Sequence, residues 1–155
     1  VFEIDFDADG FADGLTRFEA ELESLMPQVL ETALQAIAAT ARELAPVGET
    51  EHLRESIQPL PITGSWSAGN LAGEVEAGAP YALAVEEGSA AHEIRARFRR
   101  ALRFPAAEGF AFARSVQHPG APPHPFLEPA LRAEESAFLA EASAAVDLAL
   151  HRAGF

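Results

Sequence analysis

The chain has 155 residues, 48% of them hydrophobic and 23% charged, with 24 acidic residues, 11 basic residues and a formal net charge of −13. That much apolar surface excludes wholesale disorder, and the absence of cysteine excludes disulfide frameworks, CxxC redox motifs and cysteine-based zinc sites. All 11 basic residues are arginine, and so acidic a balance argues against holding nucleic acid by phosphate neutralisation.

Phe2, Ile4 and Phe6 alternate with Glu3, Asp5 and Asp7, so an acidic N-terminal strand is expected within residues 1–15, broken at Asp9-Gly10. The opening lacks the basic-then-apolar order of a signal peptide. Thr16-Arg17-Phe18-Glu19 has capping-box spacing and places a helix start near Thr16. Leu22, Leu25, Met26, Val29, Leu30, Ala33, Ile37, Ala41 and Leu44 continue with helical period. Pro27 sits inside this run, so either the helix kinks there or a second helix starts. Ala45-Pro46-Val47-Gly48 ends it, and Thr50–Ile57 could form one further turn.

From Ile57 to Ala113 the texture is short apolar pieces among glycine and proline. Leu71–Ala77 alternates and reads as a strand, whereas Tyr81–Val85 fits helix or strand. Residues 92–104 read as an arginine-rich hairpin and Phe110–Val116 as a last strand. The Pro-rich loop 117–126, with Pro119, Pro122, Pro123 and Pro125, cannot be regular structure. Pro129 suits the first turn of a second amphipathic helix, with Ala130, Leu131, Phe138, Ala142, Ala145, Val146 and Ala149 as its apolar residues, ending near Gly154. The expected fold is therefore α+β, with a long N-terminal helix and a C-terminal helix packed on a mostly antiparallel β-sheet. No linker divides it, so a single domain over 1–155 is expected. No apolar run reaches the roughly 20 residues of a membrane helix, so no membrane partner is expected.

Catalytic patterns are scarce. Asp5, Asp7, Asp9 and Gly10 match the first half of a calcium loop, but Thr16 stands where a bidentate Glu belongs. His118 and His124 match no zinc spacing, and a small metal-dependent enzyme using His92, His118 and His124 with carboxylates is only a remote alternative. Ser56, Ser65 and Ser115 lack a neighbouring base, and Glu86-Glu87 reads as a solvated edge. No enzyme and no cofactor are expected.

Charge is distributed unevenly. Arg95, Arg97, Arg99, Arg100 and Arg103 face only Glu93 in 92–104, a local +4, against −17 for the remainder. A basic projection on an acidic body can dock head to tail on another copy, giving rings or filaments. A solvated hairpin tip is the plainer alternative. Pro122, Pro123 and Phe126 form a second candidate contact, although Phe126 and Leu127 also suit a plug under the last helix.

Five segments resemble one known family: Ala45-Pro46-Val47-Gly48 with Leu53-Arg54-Glu55-Ser56-Ile57; Tyr81-Ala82-Leu83-Ala84-Val85-Glu86-Glu87-Gly88-Ser89; Ala101-Leu102-Arg103-Phe104; Val116-Gln117-His118-Pro119-Gly120; and Pro125-Phe126-Leu127-Glu128-Pro129-Ala130-Leu131. They are similar to A-P-V-(D)-T-G with L-R-x-S-I, Y-A-x-x-V-E-x-G-T, A-L-R-F, V-x-H-P-G and P-F-L-x-P-A-L in the head–tail joining, minor capsid or tail-completion proteins of long-tailed bacteriophages and phage-like particles. Glu51 stands where that family usually has Gly, and Ser89 replaces Thr.

The resemblance spans roughly residues 29–150. It implies a virion neck protein assembled in the host cytoplasm, forming a ring of six copies or, alternatively, twelve. The implied partners are other copies, portal, adaptor or stopper proteins, and a tail terminator or tail tube protein. Double-stranded DNA would pass through the lumen without specific binding. The neighbouring role, a tail terminator capping the tube, is the alternative.

Overall fold

The computed structural model describes residues 7–48, 51–97, 100–106 and 109–155. Its class is α+β. In chain order the elements are α1 (Ala8–Leu44), α2 (His52–Glu55), β1 (Ile57–Pro59), β2 (Val75–Ala77), α3 (Ala82–Glu86), β3 (His92–Arg95), β4 (Leu102–Ala106), β5 (Gly109–Ala113), β6 (Ser115–His118) and α4 (Leu127–Ala153). Contacts gather into two compact units, Val1–Ala79 with Phe126–Phe155, and Pro80–Pro125.

The first unit is built on α1 and α4, which run antiparallel and pack on each other. Leu22 and Met26 meet Ala145 and Ala149 in a buried seam flanked by Phe18, Leu25, Val29, Ala142 and Val146. The α4 side of this seam is alanine, which lets the helix axes approach closely. Arg17 donates from Nε and Nη2 to the Ala153 carbonyl at 3.3 and 3.2 Å, and Arg152 pairs with Glu21 at 2.9 Å. Thr40 Oγ1 donates to Glu134 at 2.6 Å near the opposite end. Gly154, with φ 95, closes α4 in the left-handed region, and its N–H reaches the Leu150 carbonyl.

The long helix starts earlier than expected. Asp7 caps α1 by accepting the Gly10 N–H at 2.9 Å, so Asp9-Gly10 opens a helix instead of breaking a strand. Thr16 lies two turns inside, its hydroxyl bonded back to the Ala12 carbonyl. The capping-box spacing goes unused because an Asp cap with its own N3 partner is available upstream. The acidic strand expected over residues 2–6 lies outside the described residues. One helix also spans Pro27. Proline removes a single ladder bond there, a cost of about 3 kcal/mol, while the clamped Leu22 and Met26 on the same stretch keep the helix on its partner.

After α1 the chain folds back under two arginines. Arg42 Nε donates to the Ile57 carbonyl at 3.0 Å, and Arg54 Nε to the Ala45 carbonyl at 3.0 Å. Leu53 and Ile57 are buried, and Ser56 bonds both the Leu53 carbonyl and the Ala79 N–H. The L-R-x-S-I segment is thus a latch tying the helix end to β1, and β1 pairs antiparallel with β2. Glu51, before α2, has φ 50, the one positive-φ residue other than glycine among the described residues.

Among the described residues the strands form three two-stranded antiparallel ladders rather than one sheet. In the second unit, α3 resolves the Tyr81–Val85 ambiguity as helix. The 92–104 segment is not a hairpin: β3 pairs with β6 and β4 pairs with β5. These ladders nest into one long arm whose outgoing side is β3 and β4 and whose returning side is β5 and β6. The Ala96 N–H still reaches the Arg114 carbonyl, yet Leu102 already faces Ala113. The register therefore advances from 96 to 102 on one side against a single step on the other, an enlarged bulge. That step splits the strand expected over Phe110–Val116 into β5 and β6.

No helix among the described residues is long and apolar enough to cross a membrane.

Candidate functional site

The expected contact residues concentrate on the arm, each with its own setting. Arg95 on β3 is bound to Glu93 two residues away at 2.7 Å. This guanidinium, with the Ser115 hydroxyl behind it, holds the Glu93 carboxyl below its ordinary value, and Glu93 in turn pushes Arg95 up. Arg95 is thereby locally neutralised. Arg97 and Arg100 flank the bulge and are exposed, while Arg99 lies outside the described residues. Arg103 on β4 is exposed and lies over the Phe110 ring, 3.6 Å from its centroid. Arg114, opposite the bulge, is a further exposed arginine of the same arm. Sequence reading passed over it because it sat in a run read as continuous strand.

Alternation explains a further feature. On the β4–β5 ladder, Arg103 faces Phe112 and Pro105 faces Phe110. All four are exposed, whereas Leu102, Phe104, Ala111 and Ala113 on the other face are half-buried. Period two puts the first four on one side of the ribbon. Phe110 is 56% and Phe112 68% exposed.

The Pro-rich loop leaves β6 and is fastened to the turn after α3. Ser89 and Ala121 exchange backbone bonds at 2.9 and 3.0 Å, and the His124 N–H reaches the Val85 carbonyl at 2.7 Å. The Y-A-x-x-V-E-x-G and V-x-H-P-G pieces therefore hold each other. Pro122 and Pro123 are exposed. Phe126 is not: it is fully buried, which removes it from the candidate contact set and makes it a core plug where α4 begins.

His92 and His118 oppose each other across the β3–β6 ladder with ring centroids 5.1 Å apart. The Gly120 N–H donates to His118 Nδ1 at 3.1 Å, and His92 Nδ1 lies 2.9 Å from the Ala90 carbonyl. Each ring thus engages a backbone partner through its Nδ1 at the mouth of the loop. Among the described residues no group of three or more His, Asp or Glu side chains is placed to hold a metal ion.

A second surface lies in the first unit. Leu30, Leu34 and Ile37 of α1 and Leu131, Phe138 and Leu139 of α4 line an apolar groove of about 390 Å³, with Glu134 and Glu135 at its rim. Leu131 is 56% and Leu139 58% exposed.

A family model described as HK97-gp10_like, "Bacteriophage HK97-gp10, putative tail-component", matches residues 9–88, just over half of the chain. The match contains the latch after α1 and the Tyr81–Gly88 piece; the three later segments lie beyond it. No curated protein and no solved structure matches the chain.

Proposed function

The chain belongs to the HK97-gp10-like family of bacteriophage tail components, and from that membership we propose that it is a non-catalytic part of the virion neck, a ring that joins the DNA-filled head to the tail. The observation that carries this reading is the separation of charge. Six of the 11 arginines sit in Pro80–Pro125, nearly all on one arm, while 20 of the 24 acids belong to the other unit. A basic arm on one copy and an acidic body on the next make a heterologous contact, which closes into a ring when the rotation allows. A wall of net negative charge repels the phosphate backbone, so a lumen lined by it lets DNA pass without gripping it. The partners on this reading are further copies, six or twelve to a ring, the portal-side proteins and the tail tube or its terminator. Localisation is the virion.

Reversing Arg97, Arg99 and Arg100 to Glu tests it. Filled heads and normal-length tails should accumulate unjoined in electron micrographs. Overlong tails would assign the chain to tail termination instead, and a normal yield of virions refutes the neck reading.

A further inference from the structure

We propose that the exposed arm face of Arg103, Pro105, Phe110 and Phe112 is a knob that seats in the α1–α4 groove of a second copy of this chain. The proposal rests on the neck-ring reading and gives its inter-subunit contact an address.

A two-stranded ribbon has no second layer to cover both of its faces, and alone it is marginal in water. Here the half-buried face carries Phe104 and the exposed face carries two phenyl rings. Adjacent exposed aromatics of this kind mark a contact surface. The groove offers the complementary deficit. Leu131 and Leu139 stand more than half exposed on α4, two turns apart and on one stripe. A closed cavity of about 150 Å³ accepts one benzene ring, so a groove of about 390 Å³ has room for both rings of the knob.

Charge selects the occupant. The Arg103 guanidinium already rides over Phe110, so it travels with the rings to the groove. There the rim presents Glu134 and Glu135, while the rim arginine, Arg132, is bound to Glu128. A basic aromatic knob and an acidic apolar groove exist on every copy, and they are different patches. Their union is heterologous and propagates from copy to copy, as a ring requires.

The absence of cysteine makes the test clean. Purified Phe112→Cys and Leu139→Cys copies are mixed in equal amounts at high concentration under mild oxidant, and the same pair is carried into particles assembled in the host. The mixed disulfide dimer should dominate over both homodimers, and a chain bearing both substitutions should give a ladder of multimers. Adding Arg103→Glu should lower the yield of mixed dimer at least tenfold, and Glu135→Arg on the Leu139→Cys copy should restore it.

A statistical mixture of the three dimers, or no mixed dimer in solution and in particles, overturns the proposal. So does an internal disulfide in the doubly substituted chain at high dilution, which would mean that the arm serves its own groove. Cross-linking of Leu139→Cys to a different particle protein overturns it as well. Joined particles without the cross-link would sink this contact and leave the neck reading intact. A strong cross-link together with normal virion yield from the Arg97, Arg99 and Arg100 reversal would do the opposite.

Discussion

A Cβ built on Gly73 would stand 2.5 Å from Cδ1 of Leu34, a core side chain on α1 that is only 5% exposed. The approach of this backbone to α1 shapes one wall of the apolar groove. Gly73→Ala must push a buried leucine off its rotamer or move the chain before β2. Overpacking of this kind costs about 1–3 kcal/mol. Urea unfolding should show a lower midpoint with an unchanged slope.

Glu51 gives the opposite expectation. Its φ of 50 places a branched-off Cβ in the left-handed region, which is unfavourable by roughly 1–2 kcal/mol for an L-residue. Glycine relieves that strain, at some entropic cost in the unfolded chain. Glu51→Gly should raise stability by about 0.5–1 kcal/mol and Glu51→Ala should not. Equal midpoints for the two variants would show that the turn carries no strain.

Phe126 is expected to behave as core. Phe126→Ala should lower stability by about 3–5 kcal/mol, the usual cost of emptying a buried phenyl site. Pro122→Ala with Pro123→Ala should change stability far less, since both are exposed. Thermal melts of the two proteins, side by side, separate the roles.

Arg17 caps the Ala153 carbonyl at the end of α4 from across the helix pair. A cation at a helix C-terminus that also donates hydrogen bonds contributes about 0.5–1 kcal/mol. Arg17→Ala should leave the global midpoint nearly unchanged while amide exchange at Gly154 and Phe155, both bonded to the Leu150 carbonyl, speeds up several-fold. Unchanged exchange would mean that the contact is idle.

The Glu93–Arg95 pair should respond to acid. The Glu93 carboxyl is held below its ordinary value of 4.5, first by Arg95 and then by Ser115. A depressed folded value means that the contribution is complete above the unfolded value and fades as pH falls through the folded one. The side-chain carboxyl resonance of Glu93 should therefore hold its ionised position down through the ordinary carboxylate range and shift only below it. Glu93→Gln should abolish that step. Arg95 is largely exposed and the pair lies at the surface, so the global stability should barely notice.

Much of the architecture could be read from patterning. Helical period from Leu22 to Leu44 reflects an apolar stripe along α1, a property local enough to survive in a single sequence, whereas α4 buries alanines and leaves Leu131, of its expected apolar face, and Leu139 and Leu148 exposed. Gly154 marked the end of α4 just as locally. Helix starts were less readable, since Thr16 and Asp7 are both competent caps and only the upstream packing around Phe11, Gly14 and Phe155 favours the longer helix. Strand pairing was less readable still. Period two assigns the faces of β3, β4, β5 and β6, but it is silent on which strand answers which.

The candidate site divides along the same line. Composition and order alone established that this is an acidic, cysteine-free α+β chain with one arginine-rich segment and the signature pieces of a phage tail-component family. They also established that Phe126 had two competing uses. Three-dimensional pairing decided which use holds. It put Phe126 in the core, converted a short hairpin into a long bulged arm, gathered Arg103, Pro105, Phe110 and Phe112 on one exposed face, and opened a groove between the first and last helices of the chain. Charge and periodicity are sums over neighbours along the chain, whereas a contact surface depends on residues that meet only after long loops close, and no local preference encodes that closure.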